Sequence, residues 1–127
     1  MSGKAGYEFD AIVVGSGITG GWAAKELCEK GLKVLVLERG REIKHDLDYP
    51  TLFRPPWQVP WRGLPDRETW ARDYPIQSLC YAFDETTQHF FNNDRLNPYH
   101  FDADKPFHWV RAGVLGGKSL LWNRQVY

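Results

Sequence analysis

The chain has 127 residues, in which sixteen basic and sixteen acidic side chains cancel and 43% of positions are apolar, a balance that excludes a disordered tail. A neutral chain without any run of five like charges lacks the dense Lys/Arg face that a phosphate backbone requires, which excludes a nucleic-acid partner. Its apolar runs are of five residues or fewer, far short of the ~18 that a membrane-spanning helix takes.

The N-terminal stretch 1–10 has one lysine and no apolar core segment, so it is not a cleavable secretion signal, and the chain is expected to be soluble and cytoplasmic by default. Ala11 to Val14 is a short β-branched run bounded by glycine, as in a strand buried on both faces of a parallel sheet. From about Thr19 to Lys30, Ala24, Leu27 and Cys28 form an apolar stripe at i, i+3, i+4. Lys25/Glu29 and Glu26/Lys30 pair on the opposite side, which predicts an amphipathic helix. Gly31 is placed to end that helix in a left-handed cap, and Val34 to Leu37 resumes as a second strand.

Between strand and helix, Gly15-Ser16-Gly17-Ile18-Thr19-Gly20 fits G-x-G-x-x-G in the context that gives the pattern meaning. Gly15 permits the tight turn, Gly17 lets the backbone approach a diphosphate, and Gly20 lets the helix pack close to the strand. Ser16, Ile18 and Thr19 complete the candidate cofactor loop, whose unpaired N–H groups and positive helix end face the phosphates. Glu38, eighteen residues after Gly20, stands at the end of the second strand, where a carboxylate accepts hydrogen bonds from ribose hydroxyls and repels a 2′-phosphate. Arg39 either softens that discrimination or is a solvated side chain flanking the adenine.

Residues 41–107 contain all eight prolines and a single glycine, Gly63. Four prolines keep 53–65 out of any helix interior or central strand. The expectation is an irregular, ordered excursion anchored by aromatics, with Trp57, Trp61 and Trp70 among them. Residues 108–127 bring a short strand, the Gly116-Gly117 turn and an apolar run. Two cysteines, Cys28 and Cys80, are too few for a disulfide framework or an iron–sulfur site and read as packing thiols. Four histidines without metal-ligand spacing make a metal site unexpected. His89, His100 and His108 take packing or surface roles, so no catalytic residue is assigned.

An NAD domain would continue with further β–α units soon after Glu38, whereas here the rhythm stops for about sixty-five residues, which favours a flavin. Residues 10–40 and "VRAGVLGGKSLLWNRQ" (110–125) resemble the glucose–methanol–choline (GMC) flavoprotein oxidoreductases, nearest the bacterial gluconate and sugar dehydrogenase branch. The resemblance implies FAD as cofactor and a second flavin-contacting segment made of Arg111, Gly116, Gly117 and Ser119. It also implies Asn123, one position displaced from the family's usual asparagine. Lys118 stands where the family has a small residue and reads as a surface charge. Leu121 stands where some sugar-oxidising members carry a flavin-linked histidine, so covalent attachment there is not expected.

The resemblance further implies a sugar or alcohol substrate, a quinone, cytochrome or oxygen as electron acceptor, and a catalytic histidine far toward the C-terminus of a protein of about five hundred residues. The expected fold class is α/β, an incomplete Rossmann-type β-α-β unit at 8–40 with a long Pro/aromatic-rich excursion. Two parallel strands and one helix cannot cover both sheet faces. The chain is therefore expected to be the N-terminal part of an FAD-binding domain, needing the remainder of the flavoprotein or a complementary chain. A partner with an export signal would place it in the periplasm. The alternatives are a non-catalytic nucleotide-binding module and the first unit of another two-dinucleotide flavoprotein.

Overall fold

The computed structural model describes residues 8–49, 51, 54–59 and 66–122. They fall into two compact units, one of residues up to Gly40 together with those from Leu115 onward, the other Arg41–Val114.

The first unit is β1 (Ala11–Val14), α1 (Ile18–Glu29) and β2 (Val34–Leu37), followed by a 3-10 helix at Gly117–Leu121. The strands pair in parallel, Ala11 opposite Val34 and Val14 opposite Leu37, and the Gly15 N–H extends the ladder to the Leu37 carbonyl at 2.7 Å. Both strands and the helix lie where the sequence places them, because each is specified by a local apolar pattern, with Gly15 ending β1 and Gly31 ending α1. Helix α1 closes as expected at Gly31, whose φ is +83°. The Gly31 N–H donates to the Cys28 carbonyl and the Leu32 N–H to the Leu27 carbonyl, the paired bonds of a Schellman cap. On the outer face Lys25 and Glu29 form the expected i, i+4 pair at 2.9 Å.

The helix covers one face of the sheet only. Ala11 and Val13 are half-buried beneath it, while Ile12 and Val14, pointing the other way, are 62% and 82% exposed. No described residue of this unit is fully buried. Of the helix stripe, Ala24 and Leu27 are half-buried, but Cys28 is exposed, not packed. A helix resting on two strands covers a narrow strip, and the flank that carries Cys28 falls outside it.

Among its described residues the second unit contains α2 (His45–Asp48), α3 (Arg67–Asp73) and several single 3-10 turns, with isolated bridges in place of strands. Asp66 caps α3, its carboxylate accepting from the N–H and the hydroxyl of Thr69 at 3.1 and 2.7 Å. The core is aromatic. Phe83 meets Trp70 edge-on at 4.8 Å, Phe91 at 5.0 Å and Tyr74 at 5.2 Å, and Phe90 lies against Tyr49 and His89. Trp70 also donates its indole N–H to Gln88 at 2.9 Å. Of the Pro-rich stretch, Trp57 is 72% exposed while Val59 is buried; Trp61 lies outside the described residues. The short strand expected after residue 107 is reduced to bridges at Ala112 and Val114, the first pairing with Phe91 and the second with Arg41.

A polar network runs through this unit. The carboxamide of Gln77, fully buried, donates to Asp94 at 2.7 Å and to the Trp109 carbonyl at 3.1 Å, and accepts from the Arg111 N–H at 2.7 Å. Asp73, also buried, receives Arg72 and Arg95, whose guanidinium groups hold its carboxyl well below the usual carboxylate range. Because that depression stabilises the fold above the ordinary carboxylate pKa and disappears on acidification, Asp73→Asn should flatten the acid limb of the unfolding curve. Thermal melts from neutral pH to pH 3 check this; parallel curves for variant and parent would refute it.

Candidate functional site

The first unit gathers most of the residues that the sequence singles out. Gly15 adopts φ +90° and turns the chain from β1 into the loop. Gly17 is the N-cap of α1; no side chain caps the helix and its first turn has no acidic residue, so the leading N–H groups remain available to an anion. A Cβ on Gly17 would meet nothing within 4 Å, so the chain is open on that side of the helix start. At Gly20 a Cβ would lie 1.9 Å from the Gly15 carbonyl oxygen, so the helix can pack this closely only because that position is glycine.

Glu38 closes the loop from the other side. Its Oε2 accepts the Ser16 N–H at 2.7 Å and the Ser16 hydroxyl at 2.5 Å, and its Oε1 accepts the Gly40 N–H at 2.5 Å. These bonds lower its pKa from 4.5 to about 2, the Ser16 hydroxyl contributing most, then the N–H groups of Gly40 and Ser16. The carboxylate is therefore charged across the physiological range and keeps lone-pair capacity on Oε1 for a further donor. A depressed folded-state pKa stabilises the loop fully above about pH 4.5, and the contribution fades as pH falls toward about 2.

The second glycine segment belongs to the same unit. Gly116 takes φ +88° and Gly117 φ +57°, and the Gly116 N–H donates to the Ser16 hydroxyl at 2.8 Å. The Ser119 hydroxyl bonds back to the Gly116 carbonyl, closing the turn on itself. A Cβ on Gly117 would lie 3.5 Å from Cα of Gly17, so the two glycine turns are direct neighbours. Ser16, Gly17, Glu38, Gly116, Gly117 and Ser119 are thus brought together. Arg39 is exposed, as are Ile18, Thr19 and Lys118, and Asn123 lies outside the described residues.

Arg111 is placed in the second unit. It is 8% exposed, its Nη2 donates to Asp94 at 3.1 Å and to the Asn97 carbonyl at 2.6 Å, and its guanidinium lies 4.8 Å from the Tyr99 ring and 5.5 Å from that of Trp109. Sequence reasoning missed two things: this pairing, and the double bonding of Ser16. A small polar residue inside the glycine loop is a visible signal, but nothing local reveals a partner a hundred positions away.

Residues 10–46 match the family model described as FAD dependent oxidoreductase. Among curated proteins, the chain is 68% identical over 48 residues to the long-chain-alcohol oxidase FAO4B of Arabidopsis thaliana, a match covering 35% of this chain and 6% of that protein. It is 61% identical over 33 residues to protein FixC of Rhizobium meliloti (strain 1021), covering 26% of this chain and 8% of that protein. The matched segments thus span less than a tenth of either relative. No solved structure matches.

The βαβ segment that carries the family-model match is a Rossmann-like FAD-binding unit, and FAD is its cofactor. The residues present fit that group. An uncapped helix start, open on the side of Gly17 where a Cβ would project, suits the diphosphate, and a fixed carboxylate at the end of β2 suits a ribose hydroxyl. Among the described residues no cluster has the makings of a metal site, and no helix is long and apolar enough to cross a membrane.

Glu38→Gln replaces one acceptor oxygen by an NH2 that must oppose either Ser16 or Gly40. FAD affinity in the full-length protein should fall by about tenfold to a hundredfold, the worth of a charge-assisted hydrogen bond. A fluorescence titration of the apoprotein with FAD reads this; unchanged affinity would remove Glu38 from the site.

Proposed function

We propose that the chain is the FAD-binding portion of a GMC-type oxidoreductase that oxidises an alcohol group of a sugar or related polyol and passes the electrons to an external acceptor. The convergence of the Gly15–Gly20 loop, Glu38 and the Gly116–Ser119 turn in one unit supports this reading. A single βαβ unit explains binding of a dinucleotide; a second glycine turn against the first is what a wide, flat ring beside that dinucleotide requires. The similarity to a long-chain-alcohol oxidase supports an alcohol as the group oxidised.

In such a reaction the alcohol carbon loses a hydride, its hydroxyl loses a proton to a base, and a carbonyl product forms. FAD, when bound, supplies the hydride acceptor. The residues of this chain hold and orient. The N–H groups at the α1 N-terminus bind the diphosphate, Glu38 binds the ribose, and the Gly116–Gly117 backbone approaches the ring without a Cβ between. The base, under this proposal, is a histidine outside these 127 residues.

The test is anaerobic mixing of the full-length, FAD-loaded protein with a panel of sugars, polyols and primary alcohols, following the visible flavin band. Bleaching by one class, with recovery on adding quinone, cytochrome or oxygen, is the expected result. A flavin that dithionite reduces but no alcohol or sugar does would overturn the proposal. The broad family match, FAD dependent oxidoreductase, also supports a second reading, the first unit of another two-dinucleotide flavoprotein. Bleaching by NADH in place of alcohols would select it.

A further inference from the structure

We propose that Ser16 is a positioning residue that ties the acid at the end of β2 to the second glycine turn, so that the two halves of the FAD site are set by one hydroxyl. The proposal rests on the first unit binding FAD and goes beyond it in assigning a role to the variable second position of the glycine loop.

A serine hydroxyl has one proton to give and lone pairs to receive. In Ser16 both are committed: the proton goes to Glu38 Oε2 at 2.5 Å, and a lone pair accepts the Gly116 N–H at 2.8 Å. The three groups form a chain of donors all pointing toward the carboxylate. Negative charge on Glu38 draws the Ser16 proton and thereby makes its oxygen a better acceptor for Gly116, so the bonds reinforce each other. Gly116, at φ +88°, has its N–H direction fixed by the turn that Ser119 closes. The ionisation of Glu38 is therefore felt at the second turn.

No charged side chain among the described residues competes for this role. Glu38 is bonded by Ser16 and by the N–H groups of Gly40 and Arg39, and makes no ion pair among the described residues. Arg39 beside it and Lys118 on the second turn are both exposed, and the first turn of α1 carries no acidic side chain. Removing the hydroxyl would leave the Ser16 N–H bond to Glu38 in place and delete only the link.

Ser16→Ala in the full-length protein is expected to weaken FAD binding about tenfold, the loss of one hydrogen bond to a charged group. The acid limit of FAD retention should move up by about one pH unit, because the largest influence holding Glu38 charged is gone. Backbone hydrogen exchange in 115–119 should become about tenfold faster, reporting the freed Gly116 N–H. Ser16→Thr, which keeps a hydroxyl, should restore the acid limit. If Ser16→Ala folds poorly, Ser16→Gly removes the same hydroxyl with no steric demand.

Hydroxyl-free variants that keep the parent's affinity, acid limit and exchange rates would overturn the proposal. So would weakened binding with an unmoved acid limit, which is the mark of a merely structural loss. A parent protein that binds no FAD would instead overturn the cofactor assignment on which the proposal rests.

Discussion

Gly20→Ala is expected to abolish FAD binding, while Gly21→Ala, one residue on, should leave it intact. The contrast follows from where each new methyl would go. At Gly20 a Cβ would sit 1.9 Å from the Gly15 carbonyl oxygen, 3.0 Å from the Gly15 carbonyl carbon and 3.4 Å from a methyl of Val13. The nearest neighbour is backbone at the turn from β1, so no side chain can swing aside. To restore a normal contact, the start of α1 must lift from β1 by about 1 Å, a displacement that close-packed interiors resist. That movement carries the leading N–H groups of the helix away from the Gly15–Gly17 loop, where the proposed diphosphate site lies.

At Gly21 the nearest atom to a new Cβ is the Ser16 carbonyl oxygen at 3.9 Å, an ordinary contact. There alanine should stabilise α1 by up to about 1 kcal/mol, since glycine is the poorer helix former. Flavin content after purification and thermal melting read both variants. Stoichiometric FAD in Gly20→Ala would refute the close-packing argument, and loss of FAD in Gly21→Ala would show that the helix start is sensitive to any change.

How much of this was legible depended on how locally each feature is encoded. β1, α1, β2 and the cap at Gly31 are each written in a few adjacent residues, and the structure places them where those residues indicate. The G-x-G-x-x-G loop and Glu38 were legible for the same reason, because their spacing is fixed by one βαβ unit. That Gly116 would face Ser16 could not be read from either segment alone, and only the resemblance to a family joined them. The 41–107 stretch has no period to read. Among its described residues the packing is aromatic around Phe83, with side-chain bonds such as Gln77 to Asp94, which no run of consecutive residues announces. Tryptophans at 57, 61 and 70 looked like the anchors. Of these Trp70 packs and Trp57 does not, because a large aromatic is buried only where neighbours distant in sequence meet it.

Asp94→Ala should cost about 3–5 kcal/mol of stability, because it leaves Arg111 as a buried cation without its counter-charge. Both side chains of this pair are 8% exposed, and the Arg111 Nε is already buried without a partner, so little solvent is at hand to take over. Asp94 also receives the Ile76 and Gln77 N–H groups at 3.0 and 3.2 Å and the Gln77 carboxamide at 2.7 Å, all of which lose their acceptor together. Asp94→Asn keeps the shape and one acceptor, and should cost less. Urea denaturation of the full-length protein at neutral pH measures the difference; a loss below about 1 kcal/mol would mean that the pair contributes little. The companion variant Arg111→Met separates two roles for this arginine. Lowered stability with parent-like FAD affinity, measured well below the melting temperature, assigns Arg111 to the Asp94 pair. Lowered affinity at full stability assigns it to the flavin, as the family resemblance implies.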